Sequence, residues 1–206
     1  TGSLKPAAPP LTFDQKRLET ASNRLEGRFV WSVISSYPED ERIAQNAHEI
    51  LRKTHPAALL IMAPRQVGRD FEELNEVPRL SKSQYPDAQD SIWLVDTIGD
   101  IGLILRLSEA TFIGGTNNPT EGHNPWEAVA LGVPSFHGPR TANFKNDFRT
   151  LDEAECSALV GTSEELAASL VRDDLGTMAD NAQALLQTYK TSTDNLAQDL
   201  LELMDD

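Results

Sequence analysis

The 206 residues are 39% hydrophobic and 24% charged, enough for one well-packed domain and without an apolar run of bilayer-spanning length. The net charge of −14, from 32 acidic against 18 basic residues, argues against a broad nucleic-acid surface, because polyanions bind to a field of opposite sign. The lone Cys156 excludes an intrachain disulfide framework and a multi-cysteine metal site. Beside Leu159 and Val160 it reads as a buried, inert thiol.

Residues 1–27 read as a proline-rich linker and a short lead-in helix from Asp14, ended by Gly27. The opening TGSLKPAAPP lacks the charged-then-apolar pattern of a secretion signal. Starting at Thr1, it reads as the continuation of something upstream. From residue 28 to 206 a single Rossmann-like unit is expected.

Strand and helix then alternate. Phe29–Ile34 is a buried-strand candidate, Pro38–Thr54 a helix, and Ala58–Met62 a strand stopped by Pro64. A short helix is expected near Asp70 to Asn75, a strand over Ile92–Val95 and a helix over Gly99–Ser108. Strands at Thr111–Ile113 and Val133–Phe136 flank a helix over Pro125–Leu131. A last strand at Ala158–Val160 precedes helices at Ser163–Arg172, Leu175–Tyr189 and Thr193–Met204. This alternation predicts an α/β, three-layer α/β/α domain with a mainly parallel sheet of about six strands. Trp31, Trp93 and Phe112 are assigned to its core.

Such sheets bind ligands at the carboxyl ends of their strands. The least generic residues fall there: Pro64-Arg65, Asp96-Thr97, Gly114-Gly115 and His137-Gly138-Pro139. A dinucleotide-type glycine fingerprint is absent after the first strand, and a phosphate loop with its lysine is absent throughout. Arg65 can grip phosphate or carboxylate with two parallel hydrogen bonds, or pair with a local acid on the surface. Asp96 and Thr97 either touch a ligand or cap the helix at Gly99, and His137 can equally be a satisfied strand-end histidine.

Gly122-His123-Asn124-Pro125-Trp126-Glu127 is the most telling segment. Asn124 can cap the helix, Pro125 suits its first position, and Glu127 falls in its first turn. His123 can donate to a phosphate or sugar oxygen, and Glu127 can accept from sugar hydroxyls. The plainer alternative is a capping arrangement with an exposed His123. No second histidine or cysteine stands at metal-ligand spacing, so no metal is expected.

These motifs resemble the 3-deoxy-D-manno-octulosonic acid (Kdo) transferases. The resemblance rests on Thr1 to Lys5, Pro64-Arg65, Leu94 to Gly102, Phe112 to Gly115, Gly122 to Glu127, and Gly138-Pro139 through Asn143-Phe144, in the family's order. It covers essentially the whole chain. It implies the C-terminal, donor-binding half of a two-domain GT-B glycosyltransferase that inverts configuration while transferring Kdo from CMP-Kdo to lipid A precursor or a related glycan of lipopolysaccharide. It also implies an N-terminal half that binds the acceptor and supplies the catalytic carboxylate, at the cytoplasmic face of the inner membrane of Gram-negative bacteria. No cofactor is implied beyond the nucleotide-sugar substrate, and no nucleic-acid partner. The donor site would comprise Arg65, Asp96, Thr97, Gly99, Gly114, Gly115, Gly122, His123, Asn124, Glu127 and His137. The chain departs from the family at Tyr37 and Gln66, where histidines are usual, and at Ala128, where a proline is usual. A GT-B enzyme or epimerase using a UDP-sugar, or a non-catalytic sugar-nucleotide-binding module, are the competing readings.

Overall fold

The computed structural model describes residues 9–71, 74 and 76–205, with side chains described as far as residue 192. Residues 1–8, which hold the Thr1 to Lys5 match, lie outside the described set. So does part of the segment expected to form a helix near Asp70 to Asn75.

Six strands form one sheet: β1 (Val30–Ser36), β2 (Leu59–Pro64), β3 (Ile92–Leu94), β4 (Ala110–Ile113), β5 (Ser135–His137) and β6 (Ser157–Leu159). Their spatial order is β3-β2-β1-β4-β5-β6 and every neighbouring pair is parallel. This is the doubly wound arrangement expected from the sequence. The chain runs outward from β1 to one edge, then returns to β4 beside β1 and runs to the other. Connections therefore diverge at the β1/β4 boundary, which opens a crevice at the carboxyl ends of those two strands.

The helices are α1 (Gln15–Leu25), α2 (Pro38–Leu51), α3 (Ile101–Leu107), α4 (Trp126–Val129), α5 (Lys145–Glu153), α6 (Ser163–Ser169) and α7 (Leu175–Asp205). Alternating strand residues feed two cores. Trp31, Val33, Leu60, Met62 and Phe112 pack with Ala44, Ala47 and Leu51 of α2 and Leu166 and Leu170 near α6. Val30, Ile34, Leu59, Ile61 and Ile113 pack on the opposite face with α1 and α3. Both faces are buried, so the central strands read as continuous apolar runs and not as alternation. Trp31, Trp93 and Phe112 are fully buried, as expected. Cys156 is too, and burial pushes its thiol up to about 11.

The lead-in segment is bound to this framework. Asp14 caps α1 by accepting from the Arg17 amide at 3.0 Å. Ala21 and Leu25 are buried, and Arg17 pairs with Asp100 at the start of α3 at 3.0 Å. Residues 11 and 12 cross so close to Gly102 that a Cβ there would lie 2.3 Å from the Thr12 carbonyl oxygen.

Three helical expectations need correction. The two C-terminal helices are one: α7 runs 31 residues without a break at 190–192. Thr191 and Ser192 turn their hydroxyls back onto the Gln187 and Thr188 carbonyls, at 3.0 Å each, and so sit within the helix. Helix α5 was not expected, because its sequence KNDFRTLDE buries only Phe148 and Leu151. Helix α4 is four residues long, shorter than the expected Pro125–Leu131, since Gly132 with φ +68 turns the chain toward β5.

Candidate functional site

The β1/β4 boundary is held together by backbone proximity. At the end of β1 the register slips between Ile34 and Ser36, and Ser35 takes a φ of +53, a left-handed conformation that costs a non-glycine residue energy. Gly114 leaves β4 directly against this bulge: a Cβ would lie 2.5 Å from the Ser35 carbonyl oxygen and 2.6 Å from the Ser36 Cα. Only glycine allows the two strand ends to meet so closely.

Asp40 locks that meeting in place. It stands in the first turn of α2, is fully buried, and accepts from the Tyr37 amide at 3.0 Å, closing the helix start. The same carboxylate accepts from the Gly115 amide at 2.7 Å and from the Asn117 side-chain amide at 3.0 Å. One side chain thus ties the turn after β1 to the turn after β4. The turn after β5 joins them, because Gly138 donates to the Thr116 hydroxyl at 2.8 Å and packs flush against Asn117. Arg140 and Asn143 add bonds to the Asn118 and Thr120 carbonyls. Gly138 through Phe144 therefore braces the loop that leads to His123.

On this base the segment Gly122 to Glu127 is laid down. Gly122, at φ +92, donates to the Gly115 carbonyl at 2.7 Å and turns the chain toward α4. The His123 ring lies over Gly115, where an added Cβ would sit 2.9 Å from its Cδ2 and 3.2 Å from its Nε2. Tyr37 stacks on the imidazole, with centroids 5.7 Å apart and planes 5° from parallel. Asn124 accepts from the Trp126 amide at 3.3 Å, but α4 starts one residue later than expected, with Pro125 and not Asn124 in the cap position. Glu127 is half-buried in the first turn of α4.

The electrostatics mark the same spot. His123 is held below its usual range by burial and by the positive charge of Arg65, with Asp40 opposing. Glu127 is raised by burial, with a hydrogen bond from the Asn124 side chain and the charge of Arg65 opposing. The Arg65 charge thus reaches both His123 and Glu127. Arg65 leaves β2 with its amide bonded to the Ser36 carbonyl at 2.9 Å. Its exposed side chain has no hydrogen bond or ion pair among the described residues. Arg17, Arg69 and Arg140 each pair with an acid.

Arg65, Gly114, Gly115, Gly122, His123, Asn124 and Glu127 are therefore brought together. The remaining expected residues are engaged elsewhere in the same rim. Asp96 accepts from the Ser81 amide and hydroxyl at 3.0 and 2.7 Å. Thr97 donates to Asp100, and Gly99 makes the turn between them at φ +90. His137 contacts the Gly138 carbonyl through Nδ1 at 2.8 Å and Asp152 through Nε2 at 3.2 Å, with its ring against Phe148. Asp40, Thr116 and Asn117 are additions that the sequence did not suggest. The one local signal was an acid at the third position of α2, which reads as a helix cap and conceals partners 75 and 77 residues away. A groove of about 600 Å³ beside α2, lined by Arg42, Gln45, Asn46 and Arg69 among others, includes none of the expected site residues.

Among the described residues no cluster of His, Cys, Asp or Glu is placed to hold a metal ion, and no helix is long and apolar enough to cross a membrane. The arrangement suits a small anionic ligand bearing hydroxyls: a guanidinium unengaged among the described residues, an imidazole and a carboxyl group lie near the same crevice.

No protein-family model matches the chain. Curated relatives do. The 3-deoxy-D-manno-octulosonic acid transferase of Haemophilus influenzae is 29% identical over 137 residues, covering 63% of this chain and 32% of the relative. That of Bordetella pertussis is 30% identical over 161 residues, covering 72% of this chain and 37% of the relative. The chain thus spans about a third of the length of these relatives. Among solved structures, the C-terminal CMP-Kdo binding domain of WaaA from Acinetobacter baumannii superimposes with a TM-score of 0.76 at 24% identity, covering 84% of this chain and 97% of that domain. The superposition shows the fold, a Rossmann-like domain of the GT-B architecture. In sequence the chain is similar to Kdo transferases over about a third of their length.

Proposed function

We propose that the chain is the donor-binding half of an inverting glycosyltransferase that takes Kdo from CMP-Kdo and delivers it to lipid A precursor or a related glycan of lipopolysaccharide. The observation that carries this reading is Arg65, whose side chain is unpaired among the described residues, beside His123 and a half-buried Glu127 at the β1/β4 crevice, in a chain whose net charge is −14. A cationic spot in so acidic a protein is a local device, and it suits the phosphodiester of a nucleotide sugar. Relatives named Kdo transferases supply the identity of the sugar, and the similar domain of WaaA is a CMP-Kdo binding one.

In this reading Arg65 and His123 take up the negative charge that grows on the phosphate as the bond to the anomeric carbon breaks, which lowers the barrier by favouring the transition state over the bound donor. Glu127 accepts from hydroxyl groups of the donor. The amide of Gly115 is already committed to Asp40, so the glycine turn contributes shape and closeness and not a phosphate donor. The catalytic carboxylate and the acceptor site belong to a separate N-terminal domain, and the whole enzyme works at the cytoplasmic face of the inner membrane.

Calorimetric titration of the 206-residue chain with CMP and with UMP tests the donor assignment. Weak binding with at least a few-fold preference for CMP is expected. Equal affinities, or no heat at millimolar nucleotide, would remove it.

A further inference from the structure

The two nitrogens of His123 do not have equal surroundings. Nε2 is buried and has no hydrogen-bond partner among the described residues, and it lies against Gly115, where a Cβ would come within 3.2 Å. Nδ1 makes no hydrogen bond among the described residues and is not among the buried, unpartnered atoms. A buried N–H without an acceptor forfeits a full hydrogen bond, whereas a buried ring lone pair forfeits less. Carrying the proton on Nε2 would also aim the Nδ1 lone pair at any anionic ligand. Both costs vanish if the proton is on Nδ1.

Tyr37 covers a face of the ring, where it would resist rotation of the imidazole out of its plane. Its ring lies within 5° of parallel to the imidazole, and it is fixed at the start of α2, where its amide donates to Asp40. The same Asp40 holds Gly115, the floor beneath the imidazole. The tyrosine ring covers a face of the imidazole, and Gly115 lies against its Cδ2 and Nε2. The charges that bear on the ring are Arg65 from the end of β2 and Asp40 from α2, with Glu127 following in α4.

We infer that Tyr37 is a positioning residue that clamps the His123 ring so that Nδ1–H faces the ligand and Nε2 stays buried against Gly115. This rests on the nucleotide reading for the identity of the ligand, but not for the state of the ring. Tyr37 occupies a position where the resembling family usually has histidine, so the clamp is a feature of this chain's own residues.

The test is nitrogen-15 NMR of the imidazole in the 206-residue chain, which distinguishes the two neutral tautomers directly. The Nδ1–H form is expected in the free chain at neutral pH, with the Nδ1 resonance moving on addition of CMP. Tyr37→Phe should preserve the tautomer and the affinity, because only the ring face is used. Tyr37→Ala should mix the tautomers and weaken CMP about two- to tenfold, the worth of one aromatic contact. A dominant Nε2–H form in the free chain overturns the proposal, as does a Tyr37→Ala protein with unchanged tautomer and unchanged affinity. If the Nδ1–H form is found and disturbed by Tyr37→Ala while CMP has no effect, the clamp stands and the nucleotide reading falls.

Discussion

The two ends of the sheet are built on opposite terms. At the amino ends of the strands Arg28 spends its donors on main-chain carbonyls: Ala57 at 2.8 Å, Ala58 at 3.3 Å, Asp87 at 2.8 Å and Asp90 at 2.6 Å. One guanidinium thereby fastens the approaches to β1, β2 and β3. At the carboxyl ends Arg65 leaves β2 with its side chain unengaged among the described residues, above a floor that is fully hydrogen-bonded through Asp40. The same residue type is a staple at one end and a ligand-ready cation at the other. Chemistry alone does not assign the role; what matters is whether neighbouring carbonyls and carboxylates have already claimed the donors.

Removing Arg28 should therefore act on stability. Arg28→Ala leaves several carbonyls to find water and should cost about 3 kcal/mol in chemical denaturation, the scale for a charged group with several acceptors. CMP affinity should stay within about twofold. A loss of affinity with little loss of stability would erase the distinction between the ends.

Acid should strike the stapled end. Helix α2 runs back from the crevice, so His48 lies over the first half of β1, buried and accepting from the Trp31 indole N–H at 3.1 Å. Burial, with lesser repulsion from Arg52 and Arg28, holds His48 down to about 4. The native state needs it neutral, while the unfolded chain takes up a proton near 6.5. Its contribution is thus complete above about pH 6.5 and is lost as pH falls toward 4, by about 3 kcal/mol in all. His48→Gln should flatten that part of the pH–stability profile by about one proton. An unchanged slope would mean that His48 titrates normally.

Arg65→Ala should show the reverse pattern. An exposed side chain unengaged among the described residues contributes little to folding, so denaturation should move by no more than about 0.5 kcal/mol. CMP affinity should fall about ten- to a hundredfold, the worth of a charge-assisted contact. Equal behaviour of Arg28→Ala and Arg65→Ala would break the comparison.

The sequence made this contrast only half visible. The strands were legible because a sheet covered on both faces needs apolar runs, and the crevice followed from where those runs stop. His123, Asn124 and Glu127 were legible because a cap and a first-turn acid are local patterns. Arg28 and Asp40 were not, since their partners lie up to 62 and 77 residues away and no local pattern records them. The commitment of Asp96 to Ser81 was equally hidden, so a strand-end acid looked available when it was already bound. In sequence Thr191 and Ser192 resemble a break in α7, whereas their bonds to the preceding turn keep them helical.

The central claim is that ligand enters at the unclaimed end, between the turns after β1 and β4. Amide shift mapping of the 206-residue chain during CMP titration tests it most directly. Perturbations are predicted at Tyr37, Arg65, Gly114-Gly115 and His123 to Glu127, fading toward Arg28 and His48. Shifts centred instead on the groove beside α2, at Arg42, Gln45 and Asn46, or on the amino ends of the strands, would contradict it.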